Sequence, residues 1–210
     1  FSENGKFMRH IIVILIIGLS LAWQNSFGQE AKKKERGEPW RRDTAMLPQY
    51  CKDRASNKQL FIQKWGKTFG DATQHMHHYC GGIYAEQQAK SSLSSGGRGK
   101  YLGEVIHQMG YVSKHCPASG CVLYPELHAR WGWALGQKGQ AGEAIKHYQL
   151  ALQKNPKYTL AYAQLSDLYV DLNQPEEAKK ILQSGLKVKP SSRMLQRRMK
   201  ELETAPESPG

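Results

Sequence analysis

The sequence predicts an all-α protein: a solenoid of antiparallel helical hairpins, with a disulfide-stapled hairpin on its N-terminal side and a capping helix on its C-terminal side. Three observations carry this. Apolar residues recur at i, i+3, i+4 and i+7 through most of the chain, the signature of helices with one buried face. A period of 34 residues superimposes Pro125 on Thr159. Four cysteines follow a short N-terminal apolar run, the arrangement of an exported, disulfide-bonded chain.

Composition removes several alternatives. With 210 residues and 40% hydrophobic side chains the chain can bury a core, so wholesale disorder is excluded. One long apolar run excludes a multi-span membrane protein, and collagen-like and knottin-like classes fail on composition. The 30 Lys and Arg against 18 Asp and Glu leave a net charge of +12. That excess suits nucleic acid, an anionic surface or an acidic partner, and the total does not choose among them.

The N-terminus narrows the compartment. Residues 1–28 read as a short upstream stretch and a signal peptide beginning at Met8. Arg9 and His10 form a basic n-region, and Ile11 to Trp23 is an apolar run of 13 residues, too short to span a bilayer comfortably. Ser26 and Gly28 supply the small residues of a cleavage site. Removing residues 1–28 leaves 28 basic and 17 acidic residues, so the exported chain stays strongly basic. Export makes nucleic acid a poor partner and favours lipid, cell-wall polymer or protein surfaces. The expected location is periplasmic or secreted.

Residues 29–46 form a basic segment with Lys32, Lys33, Lys34, Arg36, Arg41 and Arg42, and with Trp40 as its one large apolar side chain up to Asp43. Such a segment is expected to be a flexible arm, with residues 32–42 able to contact an anionic surface. Ordered structure is expected from Leu47-Pro48, with a helix over 48–69 carrying Leu60, Phe61, Lys64, Trp65 and Phe69. Asp71 and Gln74 form a capping-box pattern opening a second helix. Its buried stripe is Met76, Tyr79, Cys80 and Ile83. Ser91 to Gly99, rich in Ser and Gly, reads as a surface loop. A third helix carries Leu102, Val105, Ile106, Met109 and Val112, and runs up to Cys116-Pro117.

Four cysteines allow three connectivities. The turn-rich Cys116-Pro-Ala-Ser-Gly-Cys121 brings its ends together easily, which favours Cys116 with Cys121 and leaves Cys51 with Cys80. Chain entropy assigns about 3.5 kcal/mol to the longer loop and about 2 kcal/mol to the shorter.

The repeat is the strongest signal. One unit carries Trp131, Gly132, Leu135, Gly139, Ala144, Tyr148, Ala151 and Pro156; the next carries Leu165, Ser166, Tyr169, Asn173, Ala178, Leu182, Gly185 and Pro190. Small residues at the crossing let two helices approach, Gly139 or Asn173 tolerates the turn, and proline ends the second helix. These residues resemble the tetratricopeptide repeat, a helix-turn-helix unit of this period. Two units occupy 125–190, and Trp65-Gly66 with Phe69 and Ala85 imitate the pattern weakly within the Cys/His-containing region 47–124. A polar helix over 191–203 is the expected cap, with a tail over 204–210. Together with Leu47 to Cys51 and Met76 to Gly82, the arrangement over residues 47–203 resembles exported proteobacterial repeat proteins of poorly defined role.

That resemblance implies protein binding and no catalytic residues. The family's groove positions fall on Glu126, Ala129, Trp133 and Gly136, then Leu160, Ala163, Asp167 and Val170, with Trp133 as an aromatic anchor. Small residues there are expected to leave room for a partner. The Lys and Asn of the family's carboxylate-clamp members are missing, so an amphipathic helix or extended apolar segment is expected rather than an acidic C-terminus.

Other chemistry has thin support. His75 and His78 lie three apart on one helix face, metal-ligand spacing that Met76 or Cys80 could complete for copper or zinc, but a full ligand motif is missing. No cofactor is implied. A nucleophile elbow and a phosphate-binding glycine loop are both absent, since Gly96 to Lys100 has the wrong spacing. The expected function is an envelope scaffold or adaptor, with metal binding by His75 to Cys80 and a cell-wall or membrane-surface role for the basic arm as alternatives.

Overall fold

A computed structural model describes residues 39–204. The expected signal peptide, the first part of the basic arm and nearly all of the tail lie outside the described residues. A single 3-10 turn, Pro39–Arg41, precedes nine α-helices among the described residues. These are α1 (Gln49–Ser56), α2 (Lys58–Phe69), α3 (Met76–Ser91), α4 (Ser95–Ser113), α5 (Tyr124–Gln137), α6 (Ala141–Lys154), α7 (Thr159–Asp171), α8 (Pro175–Val188) and α9 (Arg193–Thr204). A second 3-10 segment, Gly70–His75, joins α2 to α3. None of these helices is long and apolar enough to cross a membrane.

The helices pack as successive antiparallel hairpins: α1 with α2, α3 with α4, α5 with α6, α7 with α8. A second set of contacts runs α1 to α3, α3 to α5, α5 to α7 and α7 to α9, so the odd-numbered helices form one continuous layer. The even-numbered helices α4, α6 and α8 each pack against the odd-numbered helix that follows.

In each of the last three hairpins a small residue sets how closely the helices approach. A Cβ added at Gly132 would sit 3.0 Å from the Ala144 carbonyl oxygen, and one at Gly82 would overlap Met109. Ser166 occupies the equivalent place in the next unit; its hydroxyl donates to the Ala163 carbonyl at 2.8 Å, which removes its polar group from the interface. Gly139 and Asn173 adopt positive φ values of 76° and 57° at the two inter-helix turns. There the amides of Gln140 and Gln174 reach back to the carbonyls of Leu135 and Tyr169, closing each helix end.

The N-terminal half is held differently. Cys51 on α1 is bonded to Cys80 on α3, and Cys116 to Cys121 across the turn after α4. Around the first bond lie Phe61, Phe69, Met76, Tyr79 and Ile83, with Tyr50 edge-on to Trp65 and Phe69.

Several expectations are corrected. The single helix over 48–69 is two, because Asn57 takes an extended conformation and its side chain accepts from the amides of Gln59 and Leu60. It is an N-cap in mid-sequence, and such a cap favours a restart over continuation. Asp71 and Gln74 form no capping box; they lie in the 3-10 segment, and α3 opens at Met76 without a side-chain cap. The expected Ser91–Gly99 loop is mostly the first turn of α4, where the Ser94 hydroxyl accepts from the Gly97 amide. Trp40 is not part of a free arm: it is 2% exposed and packs over Gly81 of α3.

Candidate functional site

The residues placed on the groove by their repeat positions do not form one open surface. Ala129 and Ala163 are fully buried at 0% exposure, so they line no accessible cleft. The room their small side chains were expected to leave is used by neighbouring helices, and the same holds at Gly136, where an added Cβ would lie 3.2 Å from Leu168. Leu160 is half-buried at the start of α7.

Glu126 is half-buried and committed to Arg130, whose Nε and Nη2 donate to its Oε1 at 3.0 and 2.6 Å. Arg130 Nη1 also donates to Glu86 on α3, a carboxylate that is only 4% exposed and that receives the Lys90 ammonium as well. This node joins the cysteine-bonded half to the first repeat. Burial raises the hydroxyl pKa of Tyr50, Tyr79 and Tyr158, and the negative charge of Glu126 adds to the rise. All three phenols therefore stay neutral beside the ion pairs.

Trp133 is half-buried against two core clusters, with the Lys90 ammonium 4.7 Å from its ring centre. Asp167 is exposed and receives a two-pronged pair from Arg198 on α9, Nε to Oδ1 at 2.7 Å and Nη2 to Oδ2 at 2.8 Å. Val170 is 45% exposed, a large apolar side chain left in solvent.

Around these accessible residues lie two clefts. A small one of about 90 Å³ separates α5 from α7 and is lined by Trp133, Gly136, Gln137, Gln164, Asp167 and Asp171 among others. A larger one of about 390 Å³ lies between α7 and α9, over Val170, Arg198, Glu201 and Leu202. Both include Asp167 and Asp171, so they adjoin along α7.

Sequence reasoning missed Gln164 and Asp171, although each lies one turn from Asp167 or close to it on the same helix face. The α9 contributors carried no such signal, because Arg198 meets a residue 31 positions away.

The histidines form a ring stack rather than a ligand set. His75 lies face to face with His115, ring centres 3.7 Å apart and planes 9° from parallel. A metal binds in the plane of an imidazole, so two parallel stacked rings cannot both address one ion. His78 Nδ1 bonds Gln108 Oε1 at 2.7 Å, and its ring packs 3.9 Å from Tyr111. Cys80 is in a disulfide and Met76 is fully buried. Among the described residues no three His, Cys, Asp or Glu converge as a metal site.

A second histidine pair joins α5 to α6. The Nδ1 atoms of His128 and His147 are 2.7 Å apart, with ring centres at 5.0 Å, so the rings meet edge to edge through an Nδ1–Nδ1 hydrogen bond. Trp131 stacks on His147 at 4.1 Å. Burial, then the neighbouring His147, lowers the His128 pKa to about 4.

Comparison with known proteins places the repeat and little else. Residues 137–199, from the end of α5 into α9, match the family model described as tetratricopeptide repeat. No curated protein matches the chain. Among solved structures, the first TPR of Spaghetti (RPAP3) bound to the HSP90 peptide SRMEEVD is 19% identical, covering 58% of this chain and 92% of that one at a TM-score of 0.43. The TPR domain of Sgt2 from Aspergillus fumigatus is 16% identical, covering 61% and 87% at a TM-score of 0.44.

Proposed function

We propose that this chain is a non-catalytic scaffold of the bacterial cell envelope that holds a segment of a partner protein along the face of α5, α7 and α9. The observation that carries the reading is the pair of adjoining clefts, in which the exposed Val170 and the half-buried Trp133 offer apolar contact beside polar side chains. Apolar anchors within a polar rim are what a binding face of this kind needs. The repeat match over 137–199 supports the same reading.

Export is part of the proposal. Two disulfides suit an oxidising compartment, and Met8 to Gly28 has the composition of a secretory signal. The Lys-rich stretch from Lys32 to Arg36 would add attachment to an anionic surface. Two experiments test this. A photo-crosslinking residue at position 170 should capture one partner that the same residue at exposed Lys187 does not; equal capture at both sites removes the face. A fusion of residues 1–46 to a reporter active only after export should be active, and an inactive fusion refutes the compartment.

A further inference from the structure

The α5–α7 cleft holds an unpartnered acceptor beside an unpaired carboxylate. The Gln164 Oε1 atom is buried and bonds nothing. Asp171 beside it has no hydrogen bond or ion pair among the described residues, and it is the last residue of α7, whose final turn holds no basic side chain. A carboxylate at a helix C-terminus faces the negative end of the helix dipole, so Asp171 sits where an unpaired anion is disfavoured and a cation is welcome. An uncompensated acceptor and an anion at the wrong helix end are two costs that one bound cationic group offsets.

Two of the cations bordering this face are held in ion pairs, and a third hydrogen-bonds a neutral amide. Lys90 is held by Glu86, Arg198 by both oxygens of Asp167, and Arg98 donates to Gln137. An acidic ligand would therefore have to break an ion pair to reach Lys90 or Arg198. Tyr148, which also lines the cleft, has its hydroxyl pKa raised by burial first and then by Asp167, Glu86 and Asp171, which shows the sign of the local field. The neighbouring α7–α9 cleft supplies the apolar half of the surface through Val170 and Leu202, with Glu201 at its edge.

We propose that these clefts recognise a cationic amphipathic segment of the partner, an arginine or lysine head entering between α5 and α7 while an adjacent apolar side chain lies between α7 and α9. This rests on the scaffold reading of the same face and names the chemistry of its ligand. The Asp171 carboxylate is a local negative charge on a chain of net charge +12, so recognition is short-ranged and weakens as salt rises.

The test uses the full disulfide-bonded chain and three labelled peptides sharing one apolar helical pattern, with Arg, Gln or Glu at the polar positions, read by fluorescence anisotropy. The Arg peptide should bind about tenfold more tightly than the Gln peptide. Asp171→Asn should weaken it about fivefold and Asp171→Lys further, with circular dichroism unchanged, while Glu177→Gln on α8 should change nothing. Equal loss from Glu177→Gln, or equal binding of the Arg and Glu peptides, overturns the charge assignment and leaves the binding face standing. If no peptide of any charge binds, the face itself is refuted as a docking site.

Discussion

The two halves of this protein build the same hairpin stack by different means. From α5 onward, Gly132 crosses close to Ala144, Ser166 and Ala178 are buried at the matching positions of the next unit, and no disulfide is involved. Before α5 the hairpins are irregular: α1 is short, a 3-10 segment interrupts the path to α3, and two disulfides and a large aromatic cluster hold the region. Regular repeats draw their stability from neighbour contacts alone, whereas irregular ones need extra constraint on the unfolded chain. At the seam stands the Glu86, Arg130 and Glu126 node, which is the ionic tie between them.

The largest expected effect is at that seam. Glu86→Ala leaves the largely buried Arg130 with Glu126 as its one carboxylate, and should cost about 3 kcal/mol. Denaturant unfolding should then separate into two transitions, one per half; a single transition at unchanged midpoint would show that the seam is apolar packing alone.

Next comes the covalent half. Replacing Cys51 and Cys80 by Ser should remove about 3.5 kcal/mol. Hydrogen exchange should rise in α1 to α3 while α7 to α9 keep their protection. Equal loss in both regions would erase the distinction drawn between them.

The first repeat carries an acid-sensitive contact that the second does not. His128 titrates at 6.5 when unfolded and at about 4 in the fold, so the unfolded chain binds more protons between those values. Stability is therefore full above pH 6.5, falls as pH drops towards 4, and falls no further on this account below that. The loss should be on the order of 2 kcal/mol, visible as the pH dependence of Tm and flattened in His128→Phe.

The smallest effect compares the two turns. Asn173 holds the left-handed conformation that Gly139 adopts without penalty, so Asn173→Gly should raise stability by about 0.5 kcal/mol, and Gly139→Ala should lower it by about 1 kcal/mol. Thermal unfolding of the two variants decides it, and shifts of the same sign would contradict the turn assignment.

Much of this was legible beforehand for identifiable reasons. The stripe Met76, Tyr79, Cys80 and Ile83 is buried as its spacing requires, and the inter-helix turns fall at Gly139 and Asn173. The errors share a cause too. Gly96, Gly97 and Gly99 disfavour helix individually, yet they extend α4 because the amphipathic run from Leu102 nucleates it and each added residue gains a bond under the Ser94 cap. Asn57 breaks a run whose apolar spacing appeared continuous, since a cap is a hydrogen-bonding event that hydropathy does not record.

Of the proposed face, Trp133, Asp167 and Val170 could be placed on helices by register, but Ala129 and Ala163 could not be recognised as buried. A small side chain signals space in a sequence, and in a packed solenoid the next helix takes that space.

The sequence by itself determined the period, the turns and which side of each helix faces inward, because those follow from local backbone geometry and from residues three or four apart. The tertiary structure alone decided that Arg130 meets Glu86 across 44 positions, that Arg198 is spent on Asp167, and that the Gln164 Oε1 atom is buried without a partner among the described residues. Charge partners across helices depend on how separate hairpins stack, and no local periodicity encodes that distance.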